Sequence, residues 1–305
     1  MELILKKNEL SIETLKKYEE SFIDYLDVDD LTLKTYRLGI ESFCNYLKEY
    51  DIKQPDREDV ISFRNYLRDT YSSNTVNTYM LGVRALFKYL KIHKIYDNIA
   101  EDIKGARQDT TPKKQVLSLE QIKNIYNSLE SAEEKALWSL LFTTGIRGCE
   151  LINADIEDIK YYNNQLVLFI LGKKRDSKCE YVKISNEVLE DIKNYIGDRQ
   201  KGAIFVSTSN HNKNGRLTTK SVRKKIKDIF KRFNLDDKGY SLHSTRRSFA
   251  VLSYEEGSSI YDIQQVLHHR SITTTTRYLQ QVDRDKNNTE YNVSNILFNL
   301  KGGEA

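Results

Sequence analysis

Apolar residues recur every three or four positions through most of the first hundred residues, and this spacing constrains the fold more than any other feature. Tyr36, Ile40 and Phe43 belong to one such stripe. The helical repeat of about 3.6 residues places them on one face of an α-helix. With two prolines and 13 glycines in 305 residues, few positions interrupt regular structure. The sequence predicts helices over 10–27, 31–50, 57–69 and from 72 onwards, with a short helix near Asn98.

A polar segment around Thr110, Thr111 and Pro112 carries no apolar stripe and divides the chain. Domain boundaries tend to fall in such segments. The predicted organisation is an N-terminal helical extension over 1–27, a helical domain over 28–104, a linker over 105–116, a second domain over 117–287 and a C-terminal segment over 288–305.

The second domain contains one strand pattern among helical ones. Residues 165–171 are rich in Leu, Val, Ile and Phe, residues 180–184 alternate in polarity, and a basic segment separates them. This order predicts an antiparallel hairpin with a basic tip. The other patterns predict helices after Ser118 and over 134–143, 147–153, 186–196, 218–233, 243–256, 259–267 and 274–279. We expect a mainly α fold with a small antiparallel β-sheet.

The net charge of +4 is modest, but the basic residues are clustered. Nine Lys and Arg residues lie between Lys213 and Arg232, against one acid, Asp228. Such a run is either a solvated helix face or a surface that follows a phosphate backbone.

Several classes of protein are disfavoured by the residues that the chain lacks. Cys44, Cys149 and Cys179 have neither a disulfide pattern nor zinc-site spacing. No segment approaches the roughly 18 apolar residues of a membrane helix, and the first residues lack a signal-peptide pattern. We find no phosphate-binding glycine loop and no carboxylate cluster for paired Mg²⁺. The sequence therefore predicts a cytoplasmic protein without a cofactor or metal.

Two arginines stand in contexts that suit phosphate binding. Arg147 follows a Thr-Gly pair at the start of a predicted helix, where its guanidinium and the helix N-terminus favour an anion. Glu150, three residues later, could hold that guanidinium, although an ordinary surface pair is the simpler interpretation. His243 and Arg246 are also three residues apart and share one helical face.

A lysine, a histidine and a tyrosine complete the candidate set. Lys173 follows the strand at the hairpin tip, where it could act as a general acid, with Lys174 and Lys178 as competitors or all three merely solvated. Tyr278 comes nine residues after His269. A phenol with a pKa of about 10 attacks phosphate well only if nearby cations stabilise its ionised form.

These residues, in this order and spacing, resemble the tyrosine recombinase family, also called lambda-integrase-like recombinases. The resemblance extends from about Leu31 to Tyr278. It departs from the family pattern at one site, where His268 replaces the usual glycine before the later histidine. The matching segments are Thr32–Tyr36, Ser73–Asn77, Leu86–Leu90, Thr144–Leu151, Gly172-Lys173, Leu242–Ala250, Val266–Arg270 and Arg277-Tyr278.

The resemblance implies a function for each candidate residue. It implies Arg147 and Arg246 as the phosphate-clamping arginines, Glu150 as the support of the first, Lys173 as the acid for the leaving 5′ oxygen, His243 as an aid to proton transfer, His269 as the later histidine and Tyr278 as the nucleophile. The expected product is a 3′-phosphotyrosyl link, which needs no cofactor. The expected architecture is a C-shaped clamp of a helical core-binding (SAM-like) domain and a catalytic domain.

The resemblance also implies the partners. They are double-stranded DNA with a specific core site and further copies of the chain, monomeric in solution and tetrameric in the synaptic complex. Accessory DNA-bending or directionality factors are further candidate partners. The C-terminal stripe Asn292–Leu300 could dock onto a neighbouring copy or pack onto its own domain. The expected DNA-binding residues are Thr32, Lys34, Tyr36, Ser73, Asn74, Asn77, Lys174, Lys220, Arg223, Lys224, Arg247 and Arg277.

The expected biological role is integration, excision or resolution of a mobile element in a bacterial cytoplasm or nucleoid. The alternative is a Xer-type chromosome or plasmid dimer resolvase, which carries the same motifs. A type IB topoisomerase or a non-catalytic DNA-binding relative fits less well, because the first domain carries recombinase-like motifs and the full set of candidate catalytic residues is present.

Overall fold

The structure is a computed structural model that describes residues 12–107, 115–172, 177–210, 212–286, 290, 291, 293 and 294. The chain forms two compact units, Met1–Thr111 and Pro112–Ala305. Both are helical, and the second also contains a small antiparallel sheet. The predicted fold class is therefore confirmed.

The first unit is a bundle of α1 (Ile12–Tyr25), α2 (Asp30–Glu49), α3 (Arg57–Thr70) and α4 (Ser73–Ile92). Polar side chains begin three of these helices by accepting backbone N–H groups: Asp29, Asp56 and Ser72. Helix α1 packs its apolar side chains into the same core as the other three helices. The segment predicted as an N-terminal extension thus contributes to the first unit.

Two glycines allow α2 and α4 to pack closely. A Cβ on Gly39 would lie 2.6 Å from the Tyr79 carbonyl oxygen, and one on Gly82 would lie 2.8 Å from that of Tyr36. Each helix therefore presents a glycine to the backbone of the other. A larger residue at either position would force the two helices apart.

The end of the first unit is held by side chains of α3 and α4. Arg68 donates to the Gly105 carbonyl (3.0 Å), and Asn77 donates to the Ala106 carbonyl (2.9 Å). The beginning of the predicted 105–116 linker is thus fastened to the first unit. Residues 108–114 lie outside the described residues. The short helix expected near Asn98 is instead a series of turns.

The second unit contains a three-stranded antiparallel sheet in the order β1-β2-β3. Its strands are β1 (Ile159–Tyr162), β2 (Gln165–Ile170) and β3 (Glu180–Lys183), preceded by a 3₁₀ turn at Ile156–Asp158. The sequence predicted the β2–β3 hairpin but not β1. The described helices are α5 (Leu119–Ser128), α6 (Ala132–Thr144), α7 (Gly148–Ile152), α8 (Asn186–Ile196), α9 (Thr219–Arg232), α10 (Leu242–Glu255), α11 (Ile260–Val266) and α12 (Ile272–Lys286).

Helix α10 lies at the centre of the second unit. It packs against α6, α9, α11 and α12, so most of its surface is inside the fold. Its polar residues Ser244, Thr245, Arg246 and Arg247 are buried as a result. The central helix therefore carries charge into the interior, which is stable only where partners compensate that charge.

The end of the chain differs from its sequence-based description. Helix α12 extends to Lys286, well beyond the short helix expected over 274–279. In the C-terminal stripe, the described residues Val293 and Ser294 are helical and Val293 is exposed. The rest of the Asn292–Leu300 stripe lies outside the described residues.

Candidate active site

Arg147 is placed by the end of one helix and the start of the next. Helix α6 ends at Gly145, whose φ of +62° turns the chain sharply. Arg147 then stands at the N-cap of α7. The Glu150 carboxylate accepts from the Arg147 backbone N–H (2.8 Å) and from its Nη1. Glu150 is fully buried, so this pair is a fixed interior contact and not a surface pair.

Arg246 approaches the same place from α10. Its Nη1 donates to the Gly145 carbonyl (2.7 Å), and its Nη2 donates to the Leu267 carbonyl. Its side chain is 3% exposed and lies 3.9 Å from the Glu150 carboxylate. Burial, together with the charge of Arg147, lowers the pKa of Arg246 to about 10, and the guanidinium remains charged at neutral pH. The two arginines and Glu150 leave this buried cluster with a net positive charge suited to an anion.

Both arginines also hold the loop between α11 and α12. Arg147 Nη2 donates to the carbonyls of Leu267 (3.2 Å) and His268 (3.3 Å). His268 adopts a φ of +48°, a region that glycine occupies without strain. Its Nδ1 lies 3.9 Å from the Glu180 carboxylate, whereas the next residue, His269, faces Tyr278. The geometry thus separates the two histidines and places His269 at the site.

His269 is held on both its backbone and its ring. Its N–H donates to the Gln264 carbonyl (3.1 Å), and its carbonyl accepts from Gln264 Nε2 (2.9 Å). Its Nδ1 is 2.9 Å from the hydroxyl of the buried Thr275. Burial lowers the pKa of His269 to about 3, and the positive charge of Arg246 and Arg147 contributes to this shift. The ring is therefore neutral at physiological pH.

Tyr278 lies beside both candidate histidines. Its hydroxyl is 2.7 Å from His243 Nε2, and its ring is 5.5 Å from that of His243 and 5.4 Å from that of His269. Burial raises the pKa of Tyr278, while Arg246 and Arg147 act in the opposite direction. The free protein thus holds the phenol protonated, next to a ring nitrogen that can accept its proton and near cations that favour the phenolate.

The hairpin lysines are only partly described. Lys173 and Lys174 lie outside the described residues. Lys178 is engaged elsewhere, because its ammonium binds Asp158 and Asp155, the latter at 2.6 Å. Its pKa is raised through these two carboxylates despite opposing desolvation. Lys178 therefore fixes the hairpin to the start of the sheet and is poorly suited to give up a proton.

The basic residues between Lys213 and Arg232 fall into two groups, those that form ion pairs within the fold and those that are exposed. Lys225 binds Glu133 and Arg232 binds Glu134, both at 2.7 Å, which fastens α9 to the start of α6. Other residues remain exposed on α9, including the predicted Lys220, Arg223 and Lys224. Arg223 and Lys227 line a cleft that also contains Arg147, His243 and Arg246. Lys227 was not among the predicted contacts, although its spacing of four residues from Arg223 indicates a shared helical face.

Two other predicted DNA contacts of the second unit differ in exposure. The sequence predicts Arg247 on the DNA-binding surface, whereas the structure leaves it only 3% exposed. Arg247 is buried because α10 lies at the centre of the second unit. Its positive charge acts to lower the pKa of Tyr278, against the larger effect of burial. Arg277 is exposed on α12. Lys174 lies outside the described residues.

The predicted contacts of the first unit also divide by exposure. Lys34 and Asn74 are exposed, and Thr32 and Ser73 are partly exposed near the starts of α2 and α4. Tyr36 stacks on Phe22 with ring centroids 6.4 Å apart. Asn77 binds the Ala106 carbonyl. Tyr36 and Asn77 therefore stabilise the first unit, and their availability to DNA is reduced.

Thr275 and Glu180 are two site residues that sequence reasoning missed. Thr275 is three residues before Tyr278 on α12. This spacing places both residues on one helical face, and it could have indicated Thr275 as a site residue from the sequence. Glu180 contacts His268 from the neighbouring hairpin. A local sequence pattern gives no indication of that contact.

The chain matches known families over both units. A model of the phage integrase family matches residues 115–284, and a model of the phage integrase N-terminal SAM-like domain matches residues 15–94. The chain belongs to the phage integrase family. It is a tyrosine recombinase, an enzyme of site-specific recombination. The family resemblance drawn from the sequence is confirmed.

Relatives with full-length similarity are also tyrosine recombinases. Tyrosine recombinase XerA of Pyrococcus furiosus is 28% identical over 292 residues, which cover 93% of this chain and 96% of XerA. A tyrosine recombinase of Thermosipho africanus is 29% identical over 291 residues, which cover 89% of this chain and 98% of that protein.

Solved structures share the fold of this phage integrase family member. A lambda integrase dimer bound to a COC′ core site has a TM-score of 0.71 and 19% identity, covering 90% of this chain and 79% of that one. XerH site-specific recombinase bound to a palindromic difH substrate has a TM-score of 0.69 and 20% identity, covering 88% and 80%. In the part of the chain that the structure describes, every helix is too short or too polar to cross a lipid bilayer.

Proposed function

We propose that this recombinase cleaves and rejoins double-stranded DNA at a specific core site through Tyr278. The observation that carries the proposal is the 2.7 Å contact between the Tyr278 hydroxyl and His243 Nε2, beside a positively charged cluster of Arg147 and Arg246. A tyrosine hydroxyl with an adjacent base and nearby cations is an activated nucleophile for phosphoryl transfer.

The proposed reaction balances without an external energy source. The Tyr278 oxygen bonds to the phosphorus as the bond to the 5′ oxygen breaks, which leaves a 3′-phosphotyrosyl link and a 5′ hydroxyl. His243 Nε2 accepts the phenol proton, and Lys173 donates a proton to the leaving oxygen. Arg147 and Arg246 stabilise the charge on the non-bridging oxygens. Attack by a 5′ hydroxyl of a partner duplex reverses the step and joins the exchanged strands.

DNA contacts are proposed for the exposed polar and basic residues around the cleft and on the first unit. Arg223 and Lys227 extend the positive surface from the two site arginines along α9. Such contacts hold the phosphate backbone and position the duplex without selecting bases. Two other chains of this fold, lambda integrase and XerH, were solved with DNA. We propose a tetramer as the synaptic complex, a monomer in solution and a cytoplasmic location.

A covalent trapping experiment tests the proposed nucleophile. The protein is incubated with nicked duplexes drawn from the genome of its source and then denatured, and DNA-linked peptides are mapped by mass spectrometry. We expect a 3′-phosphate adduct on Tyr278. Tyr278→Phe should bind the same DNA without forming an adduct. Tyr261→Phe is the matched control, because Tyr261 is 61% exposed on α11 and should be dispensable.

Other outcomes would favour the alternative activities. Strand exchange by Tyr278→Phe would refute the role of this tyrosine. Specific binding without cleavage by the wild type would favour a non-catalytic relative. Relaxation of supercoiled plasmid without strand exchange between two sites would favour a type IB topoisomerase.

The biological role we propose is integration, excision or resolution of a mobile element. A Xer-type resolvase is the second candidate, because similarity to XerA of Pyrococcus furiosus covers nearly the whole of both chains. The adduct experiment also yields the sequence of the core site. A site at the ends of a mobile element supports the first role, whereas a single chromosomal site or one that resolves plasmid dimers supports the second.

A further inference from the structure

Thr275 is a fully buried polar residue whose hydroxyl faces the site. It lies on α12, one helical turn before Tyr278, and its exposed fraction is 0%. Its Oγ1 is 2.9 Å from Nδ1 of His269. Among the described residues, this nitrogen is the hydroxyl's one hydrogen-bonding partner. The neighbouring Thr276 differs, because its hydroxyl donates to the Ile272 carbonyl (3.1 Å).

The direction of this hydrogen bond follows from the single proton of the hydroxyl. A buried O–H group must place its proton on an acceptor, since an unsatisfied buried donor is costly. The acceptor in reach is Nδ1 of His269, so Thr275 donates and Nδ1 carries no proton. In a neutral imidazole the other nitrogen then carries it. His269 is therefore the tautomer with a proton on Nε2.

The surroundings of His269 keep the ring neutral and fixed. Burial and the nearby charges of Arg246 and Arg147 disfavour the imidazolium. Gln264 binds both the N–H and the carbonyl of the His269 backbone, so the backbone that carries the ring is held in place, and Thr275 holds the ring itself. Within the described residues, Nε2 has no hydrogen-bonding partner, and the ring stands edge-on to Tyr278 at 5.4 Å.

We propose that Thr275 is a positioning residue that fixes His269 as a neutral Nε2–H donor for a non-bridging oxygen of the phosphate that Tyr278 attacks. The inference rests on the proposed function, and it assigns His269 the role of a hydrogen-bond donor and not of a base. The base is then His243, which already contacts the nucleophile. The two histidines thus have different roles, because Thr275 contacts only one of them.

The tautomer can be measured directly in the full-length protein without DNA. Long-range ¹H–¹⁵N correlation spectra of ¹⁵N-histidine-labelled protein distinguish a protonated from an unprotonated ring nitrogen, and His269→Gln identifies the signal. We expect the proton on Nε2 in the wild type and in Thr275→Ser, which keeps the hydroxyl. In Thr275→Val the preference for this tautomer should be lost. A proton on Nδ1 in the wild type, or an unchanged spectrum in Thr275→Val, would overturn the proposal.

Cleavage kinetics then test whether the tautomer matters. Thr275→Val should lower the single-turnover rate on the order of 10–100-fold, the range typical when a group that orients a metal-ligating imidazole is removed, while DNA affinity stays unchanged. Thr275→Ser should restore most of the rate. Thr276→Val is the matched control on the same helix and should cleave normally. A wild-type rate in Thr275→Val would refute the proposal.

The kinetic and spectroscopic results separate this inference from the proposed function. If the wild type forms no covalent adduct with any duplex, the proposed function fails, but the spectra still decide whether Thr275 sets the tautomer. If the adduct forms and Thr275→Val changes neither spectrum nor rate, only the positioning role fails. Circular dichroism of Thr275→Val shows whether a lost rate reflects misfolding, and in that case the Thr275→Ser comparison decides.

Discussion

Substitution of Glu150 by glutamine should destabilise the free protein more than the same substitution at any surface glutamate. The Glu150 carboxylate is fully buried and accepts from both the backbone and the side chain of Arg147. It also lies 3.9 Å from Arg246, whose side chain is 3% exposed. Glutamine keeps the volume but replaces one accepting oxygen with a donor and removes the negative charge.

The expected loss in the free energy of unfolding follows from burial of the two guanidinium groups of Arg147 and Arg246. Breaking a buried ion pair by removing one partner costs about 3–5 kcal/mol, because the remaining charge is left uncompensated. Glutamine retains one acceptor, and Arg147 is 24% exposed, so water compensates part of its charge. We therefore expect the lower end, about 3 kcal/mol. This is a large fraction of the typical unfolding free energy of roughly 5–15 kcal/mol.

Urea unfolding of the free protein, followed by the circular dichroism of its helices, measures this loss. Glu134→Gln is the matched control, since Glu134 binds Arg232 at a site where that arginine is 49% exposed. A surface pair of this kind contributes less than about 1 kcal/mol. Equal midpoints for the two variants would refute the interpretation of Glu150 as the charge that holds both arginines. Bound DNA should reduce the loss of stability in Glu150→Gln, because its phosphate supplies the missing negative charge.

Three further perturbations test other parts of the site. Gly145→Ala should cost about 3 kcal/mol in urea unfolding, because φ is +62° and a Cβ would lie 2.6 Å from Phe249, so that backbone strain and overpacking add. Gly257→Ala, at the end of α10 with φ of +91° and no atom within 4 Å of a Cβ, should lose only about 1 kcal/mol from backbone strain. The pKa of His269 is about 3 in the folded protein against an ordinary value of 6.5, so the unfolded chain binds a proton first as the pH falls. The free energy of unfolding should therefore be highest above pH 6.5 and fall by about 1 kcal/mol per pH unit toward pH 3. A free energy of unfolding that falls no more steeply with acid in the wild type than in His269→Gln would contradict this. Arg246→Ala should lower single-turnover cleavage on the order of 10²–10³-fold, and an unchanged rate would exclude it from the site.

Helices of the first unit follow closely from local sequence. The capping side chains and the apolar spacing are both short-range signals, and they predicted α2 and α3 to within a residue or two. The close approach of α2 and α4 is different. Gly39 and Gly82 each meet the backbone of the opposite helix, and a glycine within a helical pattern does not reveal which backbone it will meet.

Strand β1 and the length of α12 were missed for physical reasons. Strand β1 is four residues long, pairs only with β2, and exposes Tyr161 and Tyr162, so its pattern lacks the alternation of a half-buried strand. Its pairing with β2 supplies the stability that its own side chains do not. The extension of α12 to Lys286 is mainly polar, and an apolar stripe therefore did not predict it.

The sequence alone predicted most residues of the candidate site, because their types and spacings are local properties, but it did not indicate Thr275 or Glu180. It also determined the family and the mainly helical fold. Only the tertiary structure decided how Arg147, Arg246 and Tyr278, which are far apart in the sequence, come close together. The packing of α10 among four helices buries Arg247 instead of exposing it. The same packing sets His243 beside Tyr278, because contacts between distant segments depend on how helices dock and not on their own periodicity. The contact between Thr275 and His269, six residues earlier, depends instead on the turn between α11 and α12.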